Sequence, residues 1–160
     1  MSSSGHIELI ARGLLIWGDR VLVCRNLKRG YCYLPGGHVD PGESAADACT
    51  REFLEETGMR VRPGRCLLVC EARFTQNTKR RHEVSIVFHV EHPAEWGAHG
   101  GDVPPAVVSL EPKISFEWIA RECMPQADLR PSATREWLLG RGPSPSTGDT
   151  SGPDWLSITE

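Results

Sequence analysis

Apolar and β-branched residues crowd "HIELIARGLLIW", His6 to Trp17, and predict a first strand. Gly18–Arg20 turns the chain into "VLVCRN", a second strand. "LKRGYCYLPGG" reads as a loop leading into a short extended piece. Pro35 forces Leu34 out of helical geometry, and Gly36–Gly37 makes a flexible corner. After a turn at Pro41–Gly42, the period changes to that of a helix through "AADACTREFLEET". Ser44 is its N-cap, with Asp47 three residues on, and Gly58 suits the residue past its end. "RCLLVCEARFTQ" and "HEVSIVFHVEH" predict two strands joined by a polar turn, "NTKRR". In the second, Val84, Ile86 and Phe88 alternate with Ser85, Val87 and His89. Pro93 to Pro112, rich in Gly and Pro, predicts a long irregular loop. "ISFEWIA" predicts a late strand and "SATREWLLG" a short helix. "GRGPSPSTGDTSGPD" has linker composition, and "WLSITE" either folds back or docks on a partner chain. The order predicts an α/β domain with a mixed sheet over 1–140 and a flexible tail over 141–160.

Composition changes this picture little. A chain of 160 residues suits one domain with its own core. The net charge of −3 argues against a general nucleic-acid binder, which carries a basic stripe or patch. The N-terminus lacks a basic region followed by an apolar run, and no stretch approaches the roughly 20 apolar residues of a membrane span. The expected location is the cytoplasm. The six cysteines, Cys24, Cys32, Cys49, Cys66, Cys70 and Cys123, form no CxxC pair and no zinc-ligand spacing with histidine. They read as reduced, mostly buried thiols. On a strand, Cys66 and Cys70 lie about 13 Å apart, too far for a disulfide.

Candidate chemistry centres on the helix. Glu52, Glu55 and Glu56 share one arc, next to the apolar arc of Ala45, Cys49 and Phe53. Like charges at i, i+3 and i+4 repel, and at the border of a core the cost grows. Arg51 can pair with Asp47 or Glu55, and Glu43 is a further partner, but one arginine cannot neutralise the group. A hard divalent cation with oxygen ligands, Mg²⁺ or Mn²⁺, is the simplest missing counter-charge. Gly36 or Gly37 could offer a backbone carbonyl to it. A merely solvated acidic face is the competing reading of "REFLEETG".

The whole unit "GHVDPGESAADACTREFLEETGM" resembles the Nudix box, G-x5-E-x7-R-E-U-x-E-E-x-G-U with U bulky and apolar. Gly37, Glu43, Arg51, Glu52, Phe53, Glu55, Glu56, Gly58 and Met59 fill every constrained position. The preceding "LPGG" and the late "FEWIA" also look like this family. The resemblance implies a Nudix-type α/β/α sandwich with a mixed β-sheet and the box as a loop–helix–loop. It implies hydrolysis of a nucleoside diphosphate linked to a group X. Glu52, Glu55, Glu56 and the Gly37 carbonyl would hold Mg²⁺ or Mn²⁺, and Arg51 and Glu43 would brace the helix and orient Glu52. The substrate stays open between a nucleotide sugar such as ADP-ribose and a nucleoside triphosphate. A homodimer is also left open. A non-catalytic nucleotide sensor on the same fold, or an interaction domain using "WLSITE", are the alternatives, and neither explains a complete set of acids.

Residues outside the box complete the expected site. Glu111, before the late strand, is the best loop candidate for general base, with Glu83 and Glu117 behind it. Arg25 could reach a phosphate. Lys28, Arg29, Lys79, Arg80 and Arg81 read as solvated turn charges. Tyr33 is the main stacking candidate, with Tyr31, Phe74 and Trp96 as others. His38 and His82 read as structural, and Phe116 and Trp118 as core.

Overall fold

The computed structural model describes residues 5–97, 102–140 and 152–160. The first apolar run is not one strand. It divides at Leu15 into β1 (Glu8–Leu14) and β2 (Ile16–Trp17), because its two parts pair in different sheets. β3 (Arg20–Asn26) pairs with β2, with β4 (Cys32–Tyr33) and with β8 (Ile114–Ala120), all antiparallel. The other sheet runs β5 (Gly36–His38), β1, β7 (Lys79–Glu91), β6 (Arg62–Gln76), β9 (Asp154–Thr159). It is mixed: β1 lies parallel to β7 and β9 parallel to β6, while the other pairs are antiparallel.

The β6–β7 hairpin is tighter than its sequence suggested. Asn77 and Thr78 alone make the turn, both at positive φ (51° and 66°), the backbone twist that suits two-residue hairpins. Lys79, Arg80 and Arg81, expected in the turn, therefore belong to β7. The expected flexible tail over 141–160 also needs correction at its end. Asp154–Thr159 forms β9 along the β6 edge, anchored by Trp137 Nε1 donating to Asp154 Oδ2 at 2.7 Å. Its alternation of half-buried and exposed residues places Leu156 and Ile158 against the core. Residues 141–151 lie outside the described residues. A 3₁₀ segment over Arg121–Gln126, not expected from the sequence, precedes α2 (Ser132–Gly140).

Helix α1 (Ala45–Thr57) starts and stops where expected. Ser44 Oγ accepts from Asp47 N–H, and Gly58 closes the helix in left-handed geometry at φ 74°. Its apolar arc seats Ala48, Cys49 and Phe53 against Ala11, Leu15, Leu22 and Val90. Phe53 is fully buried over Gly13, where a Cβ would collide with its ring. The second cluster packs Leu14, Val23, Leu68 and Val87 against Met124, Trp137 and Leu138. Ala11 therefore faces α1, and its neighbours Ile10 and Arg12 face the other side of the sheet. The six cysteines are free, and only Cys123 is exposed. Among the described residues no helix is long and apolar enough to cross a membrane.

Phe53→Ala should cost about 3–5 kcal/mol, the usual penalty for emptying a fully buried aromatic site. Urea unfolding should show the loss as a lower midpoint with an unchanged slope.

Candidate active site

Along one edge of the mixed sheet, β5 brings Gly36–His38 beside α1. A Cβ on Gly36 (φ 134°) would collide with the Ala11 carbonyl. A Cβ on Gly37 would occupy the space of the Glu52 carboxylate. Glycine here lets the acidic side of the helix lie directly over β-strand backbone.

Arg51 organises the helix surface. Its Nε and Nη2 donate to the two Glu43 carboxylate oxygens at 2.9 and 3.1 Å, and Nη2 also donates to the His38 carbonyl at 2.9 Å. Nη1 reaches Glu52 Oε1 at 3.0 Å and, more weakly, Glu55 Oε2 at 3.4 Å. The Arg51 hydrogen bonds hold the Glu43 carboxyl below its ordinary range and raise the Arg51 pKa in return. Asp47, an expected Arg51 partner, instead accepts from Ser44 Oγ at 2.7 Å.

Glu56 has a different environment. It is only 8% exposed, and its Oε2 is buried without a hydrogen-bond partner. Burial first, and then repulsion from Glu52, push its pKa up to about 8, although Arg12 opposes the rise. Glu111 is brought towards it by backbone: Leu110 N–H donates to the Glu56 carbonyl at 2.7 Å, and Ser109 Oγ closes a small turn with Glu111 N–H at 3.1 Å. Glu111 adds to the negative field on Glu56.

These groups rim a cavity of about 790 Å³. Gly36, Gly37, Glu52, Glu56 and Glu111 lie at one end. The sheet contributes Ile10, Arg12, Phe74, Arg81, Glu83 and Ser85, and the opposite wall holds Tyr31, Tyr33, Arg130 and Glu160. Arg12 Nη1 donates to the Leu34 and Gly36 carbonyls at 3.1 and 2.9 Å, with its guanidinium 4.7 Å from the Tyr33 ring centre. Arg130 stacks likewise on Tyr31 at 4.6 Å.

The donor set suits a hard divalent cation. It offers oxygen donors, one carboxylate oxygen of them buried without a partner, over glycine backbone that carries no side chain. Among the described residues, no three His, Cys, Asp or Glu side chains converge closely enough to form a preassembled ligand group. Arg51 Nη1 instead engages both Glu52 and Glu55.

The NUDIX domain profile matches residues 8–138. The chain belongs to the NUDIX family. It is 34% identical over 56 residues to the uncharacterised Nudix hydrolase YvcI of Bacillus subtilis, covering 35% of each chain. It is 41% identical over 56 residues to the human 8-oxo-dGDP phosphatase NUDT18, covering 33% of this chain and 17% of that one. These matches thus span about a third or less of the curated relatives. The fold is that of a MutT protein from Methanosarcina mazei, with a TM-score of 0.62 at 24% identity, over 86% of this chain and 94% of that one.

Within this NUDIX domain, Glu52, Glu56, Gly37, Glu111 and Tyr33 meet at the cavity. Glu55 stays on the exposed rim, its side chain 55% accessible, and Glu43 acts through Arg51. Arg25 does not reach the cavity. It is engaged by the Glu117 carboxylate and the Gly30 carbonyl, which also removes Glu117 from the site. Trp96 packs with Trp17 and Trp118, at 6.0 and 6.2 Å between ring centres, and not at the cavity. His82 lies 2.8 Å from Glu71 and is not among the cavity-lining residues, whereas His38 lines the cavity. Arg81, read as a turn charge, lines the cavity and meets Glu8 at 3.1 Å. Arg12 and Arg130 escaped the sequence reading. Arg12 carried a usable signal, a lone charge inside the apolar "LIARGLL". Arg130 carried none, because only folding brings it to the cavity.

Two expectations follow. Below its ordinary pKa of 4.5, Glu56 is protonated whether the chain is folded or not; between 4.5 and about 8 only the folded chain keeps the proton. Stability of the metal-free protein should therefore fall as pH rises through this window, by up to about 1.4 kcal/mol per pH unit. Urea unfolding across pH should show that slope reduced in Glu56→Gln. Gly37→Ala displaces only the far end of the Glu52 side chain, so the fold should survive. Mn²⁺ affinity by calorimetry should drop about 10–100-fold, as when the support of a ligand is lost.

Proposed function

We propose that this protein is a divalent-cation-dependent pyrophosphohydrolase acting on a nucleoside diphosphate linked to a second group, with Mg²⁺ or Mn²⁺ as the ion. The single observation that carries this reading is the buried, unpartnered Glu56 oxygen beside Glu52 and Gly37 at the mouth of a nucleotide-sized cavity. Glu52 and Glu56, with the Gly37 carbonyl and the exposed carboxylate of Glu55, are the groups that would hold the cation. Bound there, the cation neutralises diphosphate oxygens and lowers the pKa of water, supplying a nucleophile near neutral pH.

The chain's own residues do the rest. Arg51 holds Glu52 by a hydrogen bond over β5, and Glu43 fixes Arg51. Glu111, set beside Glu56 by the Leu110 backbone bond, takes the proton from the attacking water. Water adds to one phosphorus as the bridging P–O bond breaks, and the bridging oxygen leaves with the other phosphate. The products are a nucleoside monophosphate and either phosphorylated X or pyrophosphate. Arg12 and Arg81 place two guanidinium groups in the cavity lining, where they offset part of the carboxylate charge an anionic substrate meets. Tyr33 and Phe74 offer ring surface for a base or sugar. The human relative named an 8-oxo-dGDP phosphatase supports placing purine nucleotides in the test panel beside ADP-ribose.

Wild-type protein with Mg²⁺ or Mn²⁺ should release monophosphate from at least one member of that panel. Glu56→Gln should lower kcat by about a hundredfold or more, since it removes a ligand whose ion supplies several kcal/mol of charge stabilisation. Equal turnover by the variant would discard this assignment of the site.

A further inference from the structure

Glu83 is an acidic cavity residue with no part in the hydrolytic scheme. Glu83 stands on β7 in the sheet face that floors the cavity, between Arg81 and Ser85 on the same face. It is half-buried, and among the described residues no hydrogen bond to its carboxyl is found. Burial raises its pKa, Arg12 and Arg81 oppose the rise, and Glu8 adds to it. A carboxylate sunk in a cavity floor costs free energy unless a ligand supplies donors.

Its position relative to the acidic end is set by register. Gly37 pairs with Ala11 of β1, and Glu83 pairs with Glu8 of the same strand. Glu83 is therefore three residues along and two strands across from Gly37, about 10 Å in each direction. That separation leaves room for a sugar and the first phosphate. With the phosphates at the acidic end, the part of a nucleotide that reaches Glu83 is its base. Phe74 lies on the same face, where its cross-strand partner is Arg81, and offers a ring beside that base.

We propose that Glu83 selects the nucleobase, its carboxylate accepting two adjacent N–H groups on the edge of a guanine-type base. Guanine presents a ring N–H beside an exocyclic amine on that edge. Hypoxanthine lacks the amine. Adenine presents an unprotonated ring nitrogen that would face the carboxylate as a second acceptor. A bidentate pairing of this kind gives roughly tenfold or more discrimination. The inference deepens the hydrolase reading and rests on it for the placement of the phosphates.

The test compares binding of GMP, IMP and AMP by calorimetry, alongside kcat/KM for dGTP, dITP and dATP, in wild type, Glu83→Gln and Glu83→Asp. Wild type should prefer GMP over IMP and AMP by roughly tenfold or more. Glu83→Gln, with one acceptor and one donor, should bring the GMP-to-AMP ratio to near one or invert it, through KM and not kcat. Glu83→Asp, still a carboxylate, should keep part of the preference and so separates base reading from a loss of fold. Equal binding of the three bases by wild type, or an unchanged ratio in Glu83→Gln, overturns the proposal. Selective binding without turnover of any nucleotide would remove the hydrolase reading and leave the role of Glu83 standing. Turnover without base preference would do the reverse.

Discussion

A largely buried carboxylate, one of its oxygens without a partner, is the constraint around which this domain is arranged. Glu56 lies on the helix arc that borders the core, and its outer oxygen has no partner among the described residues. A group so placed either keeps its proton or acquires a counter-charge. Arg51 is committed to Glu43, Glu52 and the His38 carbonyl, so it cannot be that counter-charge. Arg12, the nearest cation on the sheet, donates to two carbonyls and stacks on Tyr33. The site is left short of positive charge, which is the electrostatic condition for gripping a cation from solvent.

The rest of the architecture makes that arrangement tolerable. The buried side of α1 anchors through Phe53, Cys49 and Ala48, which keeps the acidic arc from rotating into solvent. Two successive glycines in β5 let the helix approach closely enough that Glu52 lies over strand backbone. The late loop attaches to the C-terminal end of α1 through the Leu110–Glu56 backbone bond, and this brings Glu111 in from a distant part of the sequence. At the far end of the cavity, Glu160 accepts from Ser132 N–H at 2.9 Å and so links β9 to the start of α2, beside Arg130 and Pro131. Glu160, directly after the C-terminal strand, is thereby part of the cavity wall.

Much of this was readable in the order of residues. The N-cap Ser44, the closing Gly58, the buried arc of α1 and the strands β3 and β8 depend on local chemistry and short-range periodicity, and each appears where that chemistry places it. The division of the first apolar run at Leu15 was hidden, because both halves are equally hydrophobic and differ only in their pairing partners. Lys79 to Arg81 looked like turn residues because they are charged. Two residues at positive φ close the hairpin instead, and the charges extend along its strands. The C-terminal strand was concealed by the linker composition before it.

The sequence by itself determined the reactive end: which acids share a helix face, which glycines precede them, and which arginine braces them. These groups lie within about one helix and one loop, so their geometry follows from fixed bond lengths and the helical repeat. Only the tertiary structure decided the other end of the cavity. Arg12, Glu83 and Phe74 come from three separate strands and share one face through sheet register, while Arg130 is brought to the cavity by its N–H donating to the Cys32 carbonyl at 2.8 Å. It also decided that Arg25 turns away to Glu117 and that Arg81 turns inward to Glu8. Pairing across a sheet depends on the summed energy of many weak contacts between distant segments, and no local pattern of residues encodes that sum.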